Sequence, residues 1–262
     1  MARKIVITSG KGGVGKTTVT ANLGFMLSNL GLRVVLLDID FGLNNLDVVT
    51  GVDGKVIFDI FDVLSGRCRV KQALVEVGGR KNLYVLPSGG DKGFYGVSGQ
   101  NIKLLIENIE PLFDYVLIDC PAGIDAGFHR AVSCADEAIV VATPNLPSLR
   151  DADKVISILK SYKLNSVGLV VNKARGDLMA GERMMLPNDI TGLLKTELIG
   201  VIPDNDIVFL SAGYELPKNS EPQRAFKILA VNVHKGARKI YDVTRKYTGL
   251  LGSIRRGIKR SV

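Results

Sequence analysis

A glycine-rich segment near the amino terminus carries the residues best suited to chemistry. The segment from Gly10 to Thr18 fits the pattern G-x-x-x-x-G-K-[ST], in which glycines let backbone N–H groups approach phosphates closely. Lys16 is placed to reach the β- and γ-phosphates of a nucleoside triphosphate, and the Thr17 hydroxyl to bind Mg²⁺. The predicted nucleotide-binding residues of this loop are Gly10, Lys11, Gly12, Gly13, Val14, Gly15, Lys16, Thr17 and Thr18.

The segments on either side of this loop support the prediction. Ile5-Val6-Ile7 is a short β-branched run typical of a buried parallel strand, and residues 17–30 show the apolar spacing of a helix. Gly31 follows at the position of a C-terminal helix cap. Strand, loop and helix therefore occur in the order that a phosphate-binding loop requires.

Acidic residues follow two further candidate strands, and parallel strands end at the same edge of a sheet. We expect Asp119, supported by Asp38, to bind Mg²⁺ or its waters, and Asp40 to orient the attacking water. Each aspartate alone could be a turn residue or a helix cap. Their shared position at strand ends favours a metal site formed by Thr17, Asp38 and Asp119.

Two segments are candidates for contact with the nucleotide base. Asn172 ends another apolar run, and with Lys173 and Arg175 after it could read the base edge. Pro203 and Asp204 end the next apolar run and could pack against the base. The N-K-x-D pattern of GTPases is absent, because Arg175 occupies its last position.

The elements that must position these residues alternate along the chain. This alternation predicts an α/β fold, a doubly wound and mostly parallel sheet with helices on both faces. After the first strand, the candidate strands lie at 34–37, 83–86, 115–118, 138–141, 167–171 and 198–202. After the helix that follows the loop, the candidate helices lie near 56–65, 99–109, 126–134, 148–161, 187–195, 221–233 and 235–247.

Length and composition are those of one α/β domain. The chain has 262 residues, of which 46% are hydrophobic, and contains no apolar run long enough to span a membrane. Residues 1–4 pass directly into the first strand, so we expect no signal peptide. Three cysteines without metal-binding spacing suit a reducing compartment. We therefore expect a cytoplasmic protein.

The basic character of the chain is confined to its carboxyl end. Residues 235–262 carry a net charge of +8, equal to that of the whole chain, so residues 1–234 are neutral overall. On a helical wheel, Tyr247, Leu250, Leu251, Ile254, Ile258 and Val262 share one face, away from Arg255, Arg256, Lys259 and Arg260. This pattern indicates an interfacial membrane helix.

The sequence therefore predicts two parts, an ATPase domain over 1–246 and an amphipathic membrane-targeting helix over 247–262. Three glycines lower the helicity of that segment by about 1 kcal/mol each, which favours a helix that forms on a surface. A helix packed on the domain and a disordered basic tail are the alternatives. The predicted membrane contacts are Leu250, Leu251, Ile254, Arg255, Arg256, Ile258 and Lys259.

The loop sequence K-G-G-V-G-K-T-T resembles the deviant Walker A ATPases, the MinD/ParA family. Similarity to MinD-type members extends over nearly the whole chain and is most specific at 37–47, 119–124, 135–138 and 148–153. The resemblance implies a P-loop fold that uses ATP and Mg²⁺ and forms an ATP-dependent homodimer. It implies that Lys11 reaches the nucleotide of the partner copy, so that the catalytic residues are Lys11, Lys16 and Asp40.

The same resemblance implies a role in placing the cell-division site. MinD-type members bring the inhibitor MinC to the membrane, which prevents FtsZ ring assembly at wrong positions, and MinE or another topological factor regulates them. Arg150, Asp151 and Asp153 would lie on the surface that such partners use. The implied location is cytoplasmic, and peripheral on the inner face of the membrane through anionic lipid in the ATP-bound state. No specific nucleic acid is expected.

Two related functions and one non-enzymatic function are alternatives. A ParA-type ATPase that moves DNA or other cargo would carry a basic patch on its folded domain, whereas residues 1–234 are neutral. A MinD-like regulator of flagellar number usually carries an activating segment before its first strand, which here begins at once. A binding module with an inactive nucleotide site would not need Lys11, Lys16 and Asp40 together.

Overall fold

The structure of this chain is a computed structural model that describes residues 1–41, 45–89, 97–249 and 252. Its strands are β1 (Arg3–Thr8), β2 (Val34–Asp38), β3 (Val75–Glu76), β4 (Leu83–Leu86), β5 (Tyr115–Asp119), β6 (Glu137–Ala142), β7 (Ser166–Ala174) and β8 (Glu197–Pro203). Its α-helices are α1 (Lys16–Asn29), α2 (Leu46–Thr50), α3 (Ile60–Leu64), α4 (Val70–Ala73), α5 (Gly99–Ile109), α6 (Ala126–Val132), α7 (Leu146–Leu159), α8 (Gly176–Met179), α9 (Pro187–Leu194), α10 (Asp206–Leu210) and α11 (Glu221–Lys235). Short 3₁₀ helices lie at Asp53–Lys55, Glu110–Leu112 and Arg245–Tyr247.

The strands form one sheet in the order β3-β4-β2-β5-β1-β6-β7-β8. Every neighbouring pair is parallel except β3 with β4. The predicted doubly wound, mostly parallel sheet is therefore confirmed. Ile7 of β1 and Asp38 of β2 both pair with Asp119 of β5, so the carboxyl ends of these three strands lie level.

Successive side chains of a strand point to opposite faces of the sheet, and here both faces are buried. On β1, Val6 belongs to the core that contains Phe128 of α6. The adjacent Ile7 belongs to the opposite core, with Leu23 of α1 and Phe226 of α11. Helices on both faces therefore explain why the strands read as continuous apolar runs.

The predicted helix at 235–247 is wrong. Gly236 takes a left-handed conformation with φ 64° and ends α11 at Lys235. The Asn232 side-chain amide then holds the next segment by donating to the Lys239 carbonyl at 2.6 Å. Tyr247, which the wheel places on the membrane face, is buried against the domain and only 6% exposed.

Several other boundaries differ from the prediction for local reasons. The helix predicted at 56–65 is only α3, because the Asp59 side chain caps it by accepting from the amides of Phe61 and Asp62. The helix predicted at 148–161 is α7, which starts two residues earlier at an Asn145 cap. Strand β3 and helix α2 were not predicted, since each has five residues or fewer.

Candidate active site

The predicted phosphate loop is the turn between β1 and α1. Gly13 and Gly15 adopt left-handed backbone conformations, with φ of 77° and 94°, which are readily available only to glycine. Gly15 immediately precedes α1, and no side chain caps the first amides of that helix. These N–H groups and the positive end of the helix dipole are therefore available to an anion.

The loop opens onto a cleft of about 660 Å³ at the carboxyl edge of the sheet. Ten predicted site residues line it: Gly12, Gly13, Gly15, Lys16, Thr17, Thr18, Asp40, Asn172, Pro203 and Asp204. The structure thus brings together residues from the ends of β1, β2, β7 and β8. The volume suits a nucleotide.

Two carboxyl groups lie beneath the cleft at the ends of adjacent strands. Asp38 and Asp119 are register partners and are only 1% and 2% exposed. Burial raises the pKa of Asp119 to about 6, although hydrogen bonds from Thr17 and Thr20 and the charge of Lys16 oppose that rise. Burial also raises the pKa of Asp38 well above its usual value, and the neighbouring Asp119 raises it further.

This donor set fits a magnesium ion. Two adjacent buried carboxyls repel each other when both are ionised, and a divalent cation beside them would remove that cost. Mg²⁺ takes one or two carboxylates, often through water, and completes its coordination with phosphate oxygens. Thr17 lines the cleft and hydrogen-bonds to Asp119, so its hydroxyl lies where the cleft meets the carboxyl pair.

The structure places the residues predicted to read the base in two different environments. The Asn172 side-chain amide donates to the Val14 carbonyl at 2.8 Å, so it contacts the phosphate loop. Lys173 lines the cleft and its ammonium donates to the Gly13 carbonyl at 2.9 Å. Arg175 does not line the cleft, because its guanidinium makes two hydrogen bonds to Asp177, at 2.9 and 2.7 Å.

A segment that the sequence analysis missed forms the far wall of the cleft. It follows Pro203 and Asp204 directly and includes α10, whose first turn Asn205 caps. Phe209 and Tyr214 line the cleft and are 82% and 77% exposed. The sequence signal for this wall was the presence of large apolar residues shortly after a strand end. Exposed apolar side chains of this kind often mark a binding surface.

The remaining predicted residues belong to the loop, to α7 or to the carboxyl-terminal segment. Lys11 is exposed at the surface, whereas Gly10 packs so closely on Asp151 of α7 that a β-carbon there would overlap the Asp151 backbone. Arg150 and Asp153 are exposed on α7. The predicted membrane contacts from Leu250 to Lys259 lie outside the described residues. None of the described helices is long and apolar enough to cross a membrane.

The fold and the loop, with acids at neighbouring strand ends, define a P-loop ATPase. A family model described as an AAA domain matches residues 2–168. The septum site-determining protein MinD of Synechocystis sp. is 40% identical over 261 residues, which cover 98% of each chain. The chain belongs to the MinD family of ATPases, whose role is septum site determination in cell division.

Solved structures agree with this assignment. The MinC:MinD cell division protein complex of Aquifex aeolicus superposes with a TM-score of 0.82 at 38% identity, over 90% of this chain and 96% of that one. MinD of Pyrococcus horikoshii complexed with Mg-ADP gives 0.81 at 33% identity, over 90% and 97%.

Proposed function

We propose that this protein is an ATP-dependent dimeric switch that holds a MinC-like division inhibitor at the membrane and so prevents FtsZ ring assembly at wrong positions. The observation that carries the proposal is the cleft, where the phosphate loop meets strand-end carboxyls and the exposed Lys11 lies beside it. Family membership supplies the cell-division role. The solved MinC:MinD complex of a relative supports a MinC-like partner.

In this proposal the residues of the cleft bind and orient ATP. The loop amides and Lys16 would hold the phosphates, while Thr17, Asp38 and Asp119 would hold Mg²⁺, which when bound would supply positive charge beside the phosphoryl group. Asp40 lines the cleft and orients the attacking water. Pro203 and Asp204 lie at the far end, where the base would pack.

Assembly of two copies would complete the site. Lys11 is exposed at the loop, where its charge can reach a nucleotide held by a second copy. Hydrolysis then depends on the dimer, as for cationic side chains supplied in trans to other P-loop enzymes. Asp151 of α7 packs against Gly10 of the loop, so a regulator such as MinE or another topological factor bound at Arg150, Asp151 and Asp153 would sense the nucleotide.

The carboxyl-terminal residues would bind the inner face of the cell membrane through anionic lipid. Five aliphatic side chains and four basic residues give the segment an apolar face and a charged face. A dimer carries two such segments, and the second binds at a high effective concentration once the first is bound. Membrane binding therefore follows ATP binding.

The test is co-sedimentation with vesicles that contain anionic lipid, in the presence of ATP, of ADP, or of no nucleotide. We expect pelleting with ATP only. Ile254→Glu places a charge on the apolar face and should abolish pelleting, while the ATP-dependent dimer persists. Ile57→Glu is the matched control, because Ile57 is 81% exposed on the domain itself, and it should pellet like the wild type.

Two outcomes would contradict the proposal. Failure of the wild type to pellet with ATP would remove the membrane part of the switch. ATP-dependent retention on DNA in place of pelleting would favour the ParA-type alternative.

A further inference from the structure

The end of β7 contains a β-bulge beside the phosphate loop. Asn172 and Lys173 lie between two regular pairs of β7 with β8, where β8 supplies only Ile202. Lys173 has φ 55°, a left-handed conformation that a residue with a β-carbon rarely adopts. Bulges redirect side chains and are rare between parallel strands.

The bulge lets two consecutive side chains reach the same loop. In a regular strand Asn172 and Lys173 would point to opposite faces of the sheet. Here the Asn172 amide donates to the Val14 carbonyl and the Lys173 ammonium donates to the Gly13 carbonyl, at 2.8 and 2.9 Å. Two adjacent carbonyls of the phosphate loop are thus held from one side.

Holding the carbonyls also orients the amides. In a trans peptide the C=O and N–H groups point in opposite directions. Fixing the carbonyls of Gly13 and Val14 therefore turns the N–H groups of Val14 and Gly15 away from β7. Among the described residues neither N–H donates to a backbone carbonyl or a side chain, so both are available to a phosphate.

We propose that Lys173 is a positioning residue, which pre-orders the phosphate loop through the Gly13 carbonyl so that the loop amides bind the β-phosphate of ATP or ADP. The inference rests on the proposed function, because it concerns the same nucleotide site. It differs from a role in reading the base, since the ammonium is bound to the loop backbone. In its left-handed conformation at the bulge, Lys173 brings its ammonium to the Gly13 carbonyl.

The test compares three replacements by the dissociation constant for Mg-ADP in calorimetry and by KM and kcat for ATP. Lys173→Met removes the ammonium, and Lys173→Gly removes it while easing the left-handed backbone. Both should weaken Mg-ADP binding by about tenfold, the loss typical of one hydrogen bond from a charged donor. Lys173→Arg retains a cationic donor and should stay within about threefold of the wild type.

KM for ATP should rise in Lys173→Met and Lys173→Gly, as Mg-ADP affinity falls. The kcat should change by less than about threefold, because the loop is disordered before ATP binds and not during hydrolysis. Lys195→Met is the matched control. Lys195 is an exposed lysine with φ 49° at the end of α9, outside the cleft lining. Its replacement should leave Mg-ADP affinity unchanged.

Wild-type affinity for Mg-ADP in Lys173→Met would overturn the inference. Wild-type affinity in Lys173→Gly alone would also overturn it, because the loss of affinity in Lys173→Met would then come from the strained backbone and not from the missing ammonium. Lys16→Ala separates this failure from failure of the proposed function. If Lys16→Ala loses Mg-ADP while Lys173→Met keeps it, only the inference is wrong. If Lys16→Ala also binds normally, the nucleotide site itself is wrong.

Discussion

At the scale of single residues, Asp119 shows how a buried charge is prepared for a cation. Its carboxyl accepts a hydrogen bond from Thr20 at 3.0 Å and one from Thr17, yet it lies beside Asp38 and is almost fully buried. Burial therefore outweighs the hydrogen bonds and raises the pKa of Asp119 to about 6. Without a cation, the ionised carboxylate destabilises the fold.

The sign of the pH dependence follows from this pKa. The unfolded carboxyl releases its proton near pH 3.8 and the folded one near pH 6, so between these values the folded state holds the extra proton. The free energy of unfolding therefore falls as pH rises through that window. Asp119→Asn should flatten the fall and raise the free energy of unfolding at pH 8 by about 1–3 kcal/mol without nucleotide.

Urea denaturation at pH 4, 6 and 8 checks this prediction. Asp53→Asn is the control, because Asp53 is exposed, and it should change stability by less than about 0.5 kcal/mol. Mg-ADP should stabilise the wild type more than Asp119→Asn, since the variant lacks one of the carboxylates proposed to hold Mg²⁺. An unchanged pH slope in Asp119→Asn would contradict this account of Asp119.

At the scale of elements, α2 connects Asp38 with the segment that follows α10. The Asp38 carboxylate accepts from the amide of Leu46, the first residue of α2, at 3.4 Å. At the other end of α2 the Gly213 amide donates to the Val49 carbonyl at 3.0 Å. Gly213 follows α10, and residues of α10 line the cleft. Asp38 and this wall of the cleft are therefore linked through α2 by hydrogen bonds.

Gly51→Ala tests this connection. Gly51 has φ 69°, and a β-carbon there would overlap the Gly213 carbonyl oxygen, so α2 and the segment after α10 must separate. We expect the free energy of unfolding to fall by about 1–3 kcal/mol, the range for a strained backbone, and Mg-ADP affinity to fall with it.

Gly54→Ala provides the control, because a β-carbon at Gly54 would meet nothing within 4 Å. It should alter stability by less than about 1 kcal/mol. Thermal unfolding and calorimetry measure both quantities. Equal stability of the two variants would show that the contact between Gly51 and Gly213 does not hold the elements together.

At the scale of the whole molecule, charge and function are separated along the chain. Residues 1–234 are neutral and contain the cleft, whereas the net charge of +8 belongs to residues 235–262. A neutral domain has little electrostatic attraction for DNA, and a basic amphipathic end suits anionic lipid. In the proposed function, two copies meet at the cleft, and the nucleotide thereby controls the basic ends.

Lys11→Ala tests whether two copies meet there. The variant should bind ATP, because Lys16 remains, but ATP-dependent dimerisation and hydrolysis should each fall by at least about tenfold. Light scattering after gel filtration with ATP and a phosphate-release assay measure these effects. Lys160→Ala removes an exposed lysine at the far end of α7 and should behave like the wild type. A Lys11→Ala protein that dimerises normally with ATP would exclude the role in trans.

Much of the fold, the phosphate loop and the acids at the strand ends follow from local patterns. The loop from Gly10 to Thr18 is recognisable because glycine, lysine and threonine each have a fixed task at a fixed spacing. Asp38 and Asp119 could be placed together because parallel strands end at one edge. Continuous apolar runs predict most of the strands correctly, since the strands of a sheet covered on both faces are apolar throughout and do not alternate with polar residues.

The failures occur where a contact distant in sequence decides a local conformation. The spacing of residues 235–247 predicts a helix, yet Gly236 and the Asn232 side chain turn the chain back onto the domain. Short elements such as α2 have too few residues for a periodic pattern. Their bounds are set by the neighbours on which they pack.

The α/β class, the phosphate loop and the acids at the strand ends follow from the sequence alone, because each depends on short spacings or on the rule that parallel strands end together. The contacts of Asn172, Lys173 and Arg175 instead depend on how the strands pack in three dimensions. The first two bond to loop carbonyls and the third pairs with Asp177. A bulge of one residue changes which face each side chain takes, and its position depends on the register with β8.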